Sequence, residues 1–213
     1  MTKPTKTKLL ISSVIILLPI LFGLAVWEQL PEKVATHWGP NGQPDGWSSK
    51  AVAVFFMPAF LLAMHFFTVF VTGKDPKNQN QSAKIMHLRF WLIPILSLFV
   101  GAMTYATALD SAISPILILP LFMGITFILL GNYMPKCQQN QTIGIKVKWT
   151  LENEENWNAT HRFGGKVFVI CGILLLGGVF LPLEAIIWVT LPLILTIGAV
   201  PILYSYLYHK KHS

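Results

Sequence analysis

Apolar residues gather into six long runs: Leu9 to Trp27, Ala51 to Gly73, Phe90 to Leu109, Ile116 to Met134, Val167 to Leu183 and Ala185 to Tyr206. A helix rises 1.5 Å per residue, so about 20 apolar residues cover the roughly 30 Å of hydrocarbon in a bilayer. The fifth run is the short one, because Pro182 and Glu184 leave it about seventeen residues, and a helix entering from the preceding loop would complete it. Pro19, Pro58, Pro94, Pro120, Pro192 and Pro201 lie inside the runs, where neighbouring helices can satisfy the carbonyls that proline frees. Small residues at Ser97, Gly101 and Ala108, and at Gly172, Gly177 and Gly178, read as close helix packing. The pattern predicts an all-α integral membrane protein, a six-helix transmembrane bundle. It divides into a two-span domain over 1–87 and a four-span domain over 88–213.

Two polar stretches interrupt the runs with patterns of their own. From Glu28 to Lys50, the dipeptides Asn41-Gly42 and Asp45-Gly46 separate Val34–Trp38 from Trp47–Ser49, which predicts a small hairpin-like loop. Trp38 and Trp47 there read either as headgroup-level anchors or as a contact surface for something arriving from outside. The second stretch runs from Gly131 to Lys166, with its loop over 135–166. Thr150 is positioned to cap a helix whose first turns hold Glu152, Glu154 and Glu155, acids at the positive helix end. Trp157, His161 and Gly164 or Gly165 then share one face. Continued into Val167, this helix supplies the length that the fifth run lacks. An amphipathic interfacial helix and a docking surface for a cytoplasmic protein both fit the pattern.

Composition agrees with the pattern: 54% hydrophobic and 12% charged residues place the chain among membrane proteins. The net charge of +7 adds orientation, because fourteen of the sixteen basic residues fall on the side of the N-terminus and only Lys33 and Lys50 lie opposite. By the positive-inside rule both termini are cytoplasmic, an N-in/C-in topology, and the Glu28–Lys50 loop is extracellular. That placement accounts for the basic excess without direct nucleic-acid binding. Lys3, Lys6 and Lys8 precede nineteen apolar residues, longer than a signal-peptide core of roughly 7 to 15, so the run reads as an uncleaved span. Cys137 falls in the cytoplasmic loop and Cys171 inside the fifth run, a placement that disfavours a disulfide.

Candidate chemistry is sparse. His65 sits near the middle of the second run, where an ionisable residue is a functional candidate by default. No carboxylate, Lys or Arg lies in the middle of a run to relay its proton, so a neutral ring bonded to Ser, Thr or a carbonyl is expected. The six histidines are scattered over both faces and the core without metal-ligand spacing, and neither metal nor cofactor is expected. A glycine-rich phosphate loop and a Ser-centred elbow are absent, which argues against an enzyme.

The long loop also resembles the SdpI family of bacterial membrane proteins. The match is carried by Gly131-Asn132, Pro135-Lys136, Asn140, Gly144-Ile145, Trp149-Thr150-Leu151, Glu155, Trp157 and Thr160-His161-Arg162 with Gly164 or Gly165. The outer stretch is similar to the N-terminal domain common in that family, through Leu30-Pro31, His37-Trp38, Asn41-Gly42, Asp45-Gly46 and Ser49-Lys50. One departure is the tetrapeptide Lys146-Val147-Lys148-Trp149, where the family usually carries Arg and then Thr-Pro before the Trp. Lysine keeps the charge without the planar fork of arginine. The resemblance implies a non-catalytic immunity protein of the bacterial cell membrane that meets a secreted peptide toxin and can hold an ArsR-type repressor. Its implied contacts are His37, Trp38, Asp45 and Trp47 for toxin in the outer loop. For the partner they are Asn140, Gly144, Lys146, Trp149, Thr150, Trp157, Thr160, His161 and Arg162. A transporter or efflux component for a small amphiphile is the alternative, and it would need a polar cavity with ionisable residues between helices.

Overall fold

A computed structural model describes residues 4–39, 43–110 and 115–212. Six of its helices are long and apolar enough to cross a membrane, as the six runs predict, and the protein is a multi-pass membrane protein. By packing, the chain forms two compact units. One comprises Met1–Lys74 and Met86–Pro115, the other Asp75–Ile85 and Ile116–Ser213.

The first unit contains α1 (Lys6–Ala25), a two-stranded sheet of β1 (Lys33–Trp38) and β2 (Pro44–Ser49), α2 (Met57–Lys74) and most of α3 (Ala83–Ala108). Thr5 caps α1, its hydroxyl accepting the Lys8 N–H at 3.2 Å. Pro19 lacks the N–H that would donate to the Ile15 carbonyl, and α3 packs on this stretch of α1 with two donors. Ser97 Oγ donates to the Ile16 carbonyl at 2.8 Å and Tyr105 to the Pro19 carbonyl at 2.7 Å. Gly101 lets the helices meet here, since a Cβ on it would stand 2.7 Å from the Pro19 ring. His65 is buried with Nε2 at 3.0 Å from Ser12 Oγ, a serine contact of the kind expected of it. Arg89 donates to the Thr68 carbonyl.

The outer hairpin forms as predicted, with β1 antiparallel to β2 and irregularities around His37. Asn41-Gly42 lies outside the described residues. A π-helical stretch, Val52–Phe56, leads into α2. Just before it, Lys50 is buried and donates to the carbonyls of Trp27 at 3.1 Å and Leu30 at 3.3 Å, with Glu32 3.5 Å away. Charge patterning alone marks Lys50 as one of two outer cations. It ties the end of β2 to the turn after α1, where carbonyls at the helix C-terminus attract a cation.

The second unit holds a 3-10 turn (Pro76–Asn80), α4 (Pro115–Tyr133), α5 (Lys148–Glu152), α6 (Glu154–Gly178) and α7 (Leu183–His212). Pro115 opens α4, a first-turn position that suits its fixed φ. Two glycine pairs bring α4 and α6 into backbone contact. A Cβ on Gly165 would stand 2.7 Å from the Gly131 carbonyl, and one on Gly172 would stand 2.7 Å from that of Gly124. The pairs are seven residues apart on each helix, two turns of one face. Gly177 and Gly178 face open space and have no such role.

One local expectation holds and another changes. The amphipathic helix of the loop forms the first half of α6 and continues into the fifth run, because nothing in Glu154–Lys166 breaks helical geometry before that run begins. Its cap is Asn153, whose side chain accepts the Asn156 N–H at 2.8 Å. Thr150 instead belongs to α5, where Oγ1 accepts the Val147 N–H at 3.0 Å from inside the first turn. Asn153 breaks the helix between Glu152 and Glu154, so only Glu154 and Glu155 occupy the first turn of α6.

Candidate functional site

The 137–161 segment folds around one buried ring pair. Trp157 and His161, one helical turn apart on α6, stack with centroids 4.0 Å apart, and both are fully buried. The indole N–H of Trp157 donates to the Cys137 carbonyl at 2.7 Å. His161 Nδ1 lies 2.8 Å from the Trp157 carbonyl, which can only accept, so Nδ1 carries the proton. Nε2 is then the acceptor for the Ile145 N–H at 3.0 Å. Both ring nitrogens are committed to backbone, one as donor and one as acceptor, which fixes a neutral tautomer.

Gly144 lies across this pair at φ +111°, a conformation that favours glycine, and a Cβ there would collide with His161. Asn140 folds the turn before it. Its amide donates to the carbonyls of Gln138 at 2.8 Å and Ile143 at 3.0 Å, and its oxygen accepts the N–H groups of Thr142 and Ile143. Thr150 Oγ1 donates to the Ile145 carbonyl at 2.9 Å. On the far side, Asn156 Oδ1 accepts from Thr160 at 2.9 Å and from Ser205 of α7 at 3.0 Å, while Nδ2 donates to the Ser205 carbonyl. A buried polar group is costly unless paired, and here the polar groups pair one another. Burial pushes the Cys137 thiol up to about 11.

The structure therefore separates the expected docking residues. Asn140, Thr150, Trp157, Thr160 and His161 are inside, and they shape the loop. Trp149 is half-buried, its ring stacked over His209. Gly144, Lys146 and Arg162 are exposed. Lys146 folds back so that Nζ donates to the Gln141 and Thr142 carbonyls at 3.3 and 3.4 Å, contacts that a point charge makes without an arginine fork.

Sequence reasoning passed over the segment that braces this loop. Asp75 Oδ2 accepts the Gln141 N–H at 2.8 Å and the Thr142 hydroxyl at 3.2 Å. Asn78 donates to the same hydroxyl at 2.7 Å, and Gln81 bonds both ways with the Gln138 backbone. The available signal was Asp75 itself, an acid among Lys74, Lys77 and Lys84 on the basic side.

The four outer residues all sit on the hairpin. The His37 ring is hydrogen-bonded to the Asp45 carboxylate across the strands, and both are largely exposed. Trp47 is 57% exposed and Trp38 half-buried. Among the described residues no group of three or more His, Cys, Asp or Glu side chains could hold a metal ion.

Comparison with known proteins adds three findings. Residues 136–205 match the SdpI/YfhL protein family, and residues 14–62 match a domain of unknown function, DUF1648. The chain is 29% identical over 204 residues to "Immunity protein SdpI" of Bacillus subtilis (strain 168), covering 96% of this chain and 97% of that protein. No solved structure matches.

Proposed function

Since the chain is an SdpI-family membrane protein with a DUF1648 segment before its SdpI segment, we propose that it protects its cell against a secreted, membrane-active peptide toxin by a non-catalytic mechanism. The carrying observation is the end-to-end similarity to an immunity protein, which takes in both polar segments together with the spans. The chemistry of the site agrees. His161 has no free nitrogen with which to exchange a proton with a substrate, and the polar groups around it bond to one another.

In this reading the toxin meets the outer hairpin through Trp47 and the His37–Asp45 pair, the exposed features of that loop. An ArsR-type repressor docks on the exposed rim of the 137–161 segment, around Gly144, Lys146 and Lys148. For toxin binding to alter docking, the toxin must bind two states of the protein with different affinity. The transporter alternative gains little, because the cavity of about 410 Å³ beside Pro19, Gly101 and Tyr105 is almost wholly apolar. The test is survival of a toxin-sensitive strain expressing this chain. Protection is expected from the unaltered protein and is expected to weaken in Trp47→Ala; full sensitivity of cells that hold the folded protein in the membrane overturns the reading.

A further inference from the structure

The exposed stripe of α6 changes character along its length. Glu154, Glu155 and Asn158 come first, Arg162 and Lys166 follow, and Ile170, Ile173 and Leu174 complete it, each of these three more than half exposed. Beyond Lys166 the apolar stretch 167–181 would reach about 22 Å as a helix, short of the roughly 30 Å of bilayer hydrocarbon. A short span is accommodated by thinning the bilayer and by long basic side chains that extend along apolar surface to the interface. Both effects bring the turn with Arg162 and Lys166 to the level of the lipid phosphates.

Charge points to the same level. Arg162 and Lys166 are four residues apart on one helical face, where like charges repel unless an anion lies between them. Among the described residues neither is ion-paired with a carboxylate. The Pro135–Lys136 turn packs on the adjoining side of α6. The Pro135 ring lies 3.0 Å from where a Cβ on Gly165 would stand, and the Lys136 ammonium sits over the Tyr133 ring at 5.2 Å. Arginine offers a planar fork that fits phosphate oxygens, and lysine a point charge.

We propose that Arg162 and Lys166 bind the phosphate of an anionic phospholipid whose acyl chain lies along Ile170, Ile173 and Leu174. The apolar continuation below the cations selects a lipid over a free anion. The acids of the stripe, Glu154 and Glu155, lie seven or more residues before Arg162, and that separation favours a net-negative headgroup over a zwitterionic one. Arg162 then anchors α6 at a fixed depth and does not contact a cytosolic partner.

The full-length protein is reconstituted in bilayers containing a trace of spin-labelled phosphatidylglycerol or spin-labelled phosphatidylcholine, and the motionally restricted fraction of each lipid is read by electron paramagnetic resonance. The unaltered protein is expected to favour phosphatidylglycerol several-fold, with the preference reduced but present in high salt. Arg162→Gln/Lys166→Gln should bring the two lipids near parity, while Lys146→Gln/Lys148→Gln keeps the preference. Lys166→Glu, a single exposed change, should lower it markedly even if the double variant is not recovered. The proposal is overturned by a preference that survives both Arg162→Gln/Lys166→Gln and Lys166→Glu. It is equally overturned by a preference lost to the same extent in the Lys146/Lys148 variant, which would mark a diffuse charge effect, or by displacement of the lipid with inorganic phosphate, which would mark a soluble-anion site.

Discussion

Trp157 and His161 are held by backbone groups distant in sequence, so their value to the protein is measured by what their loss exposes. Replacing Trp157 with Phe keeps the stacked ring and leaves the Cys137 carbonyl without its donor. A buried orphan of this kind costs about 1–3 kcal/mol, expected as a lower thermal midpoint of the detergent-solubilised protein. Cys137, beside this contact, should resist alkylation at neutral pH in the folded protein and react once unfolded, because its pKa near 11 keeps it protonated. The sign of the linkage follows from burial, which favours the neutral thiol. Its folded pKa is raised, so its contribution to stability is complete below the unfolded thiol pKa and is lost as pH rises through about 11. A maleimide-labelling rate followed against pH checks the first statement. The residue scale is also where the sequence was least legible. That Trp157 and His161 share a face follows from their spacing, but that the face is covered by Gly144 and Ile145 does not.

At the scale of elements, the glycine contacts of α4 and α6 give the sharpest prediction. Gly165→Ala places a methyl group against the Gly131 carbonyl and the Pro135 ring, both rigid. Overpacking at such a site costs about 1–3 kcal/mol, whereas Gly177→Ala, which meets nothing within 4 Å, should be neutral or slightly stabilising. Paired thermal-shift measurements on the two variants separate close packing from glycine content. The sequence marked both glycines only as small residues or family positions, because small residues signal close approach without saying which one finds a partner. Helix extent was more legible. The continuation of α6 into the fifth run follows from the absence of a breaker, while its Asn153 cap was missed because Thr150 offered an equally good capping side chain three residues earlier.

For the whole molecule, the basic residues set the topology that experiment should find. Cysteine introduced at Lys148 should be labelled by a membrane-impermeant maleimide only after cells are opened, and cysteine introduced at Glu32 should be labelled in intact cells. Labelling of both positions in intact cells would contradict the N-in/C-in orientation. Each polar segment has its own support: the hairpin the lysine tie of Lys50, and the 137–161 segment the brace from Asp75, Asn78 and Gln81.

The sequence by itself determined the number of apolar spans and the hairpin between the first two. Each of these depends on composition and period along a local stretch, and the bilayer fixes the length scale against which that stretch is read. Tertiary structure alone decided which loop residues face inward. Asn140, Thr150, Thr160 and His161 are polar and sit in a polar segment, so local pattern places them at the surface. They are buried because partners from residues 75–81, from Ile145 and from Ser205 of α7 arrive to satisfy them or the turn they build, and hydrogen bonds between distant segments leave no period in the sequence.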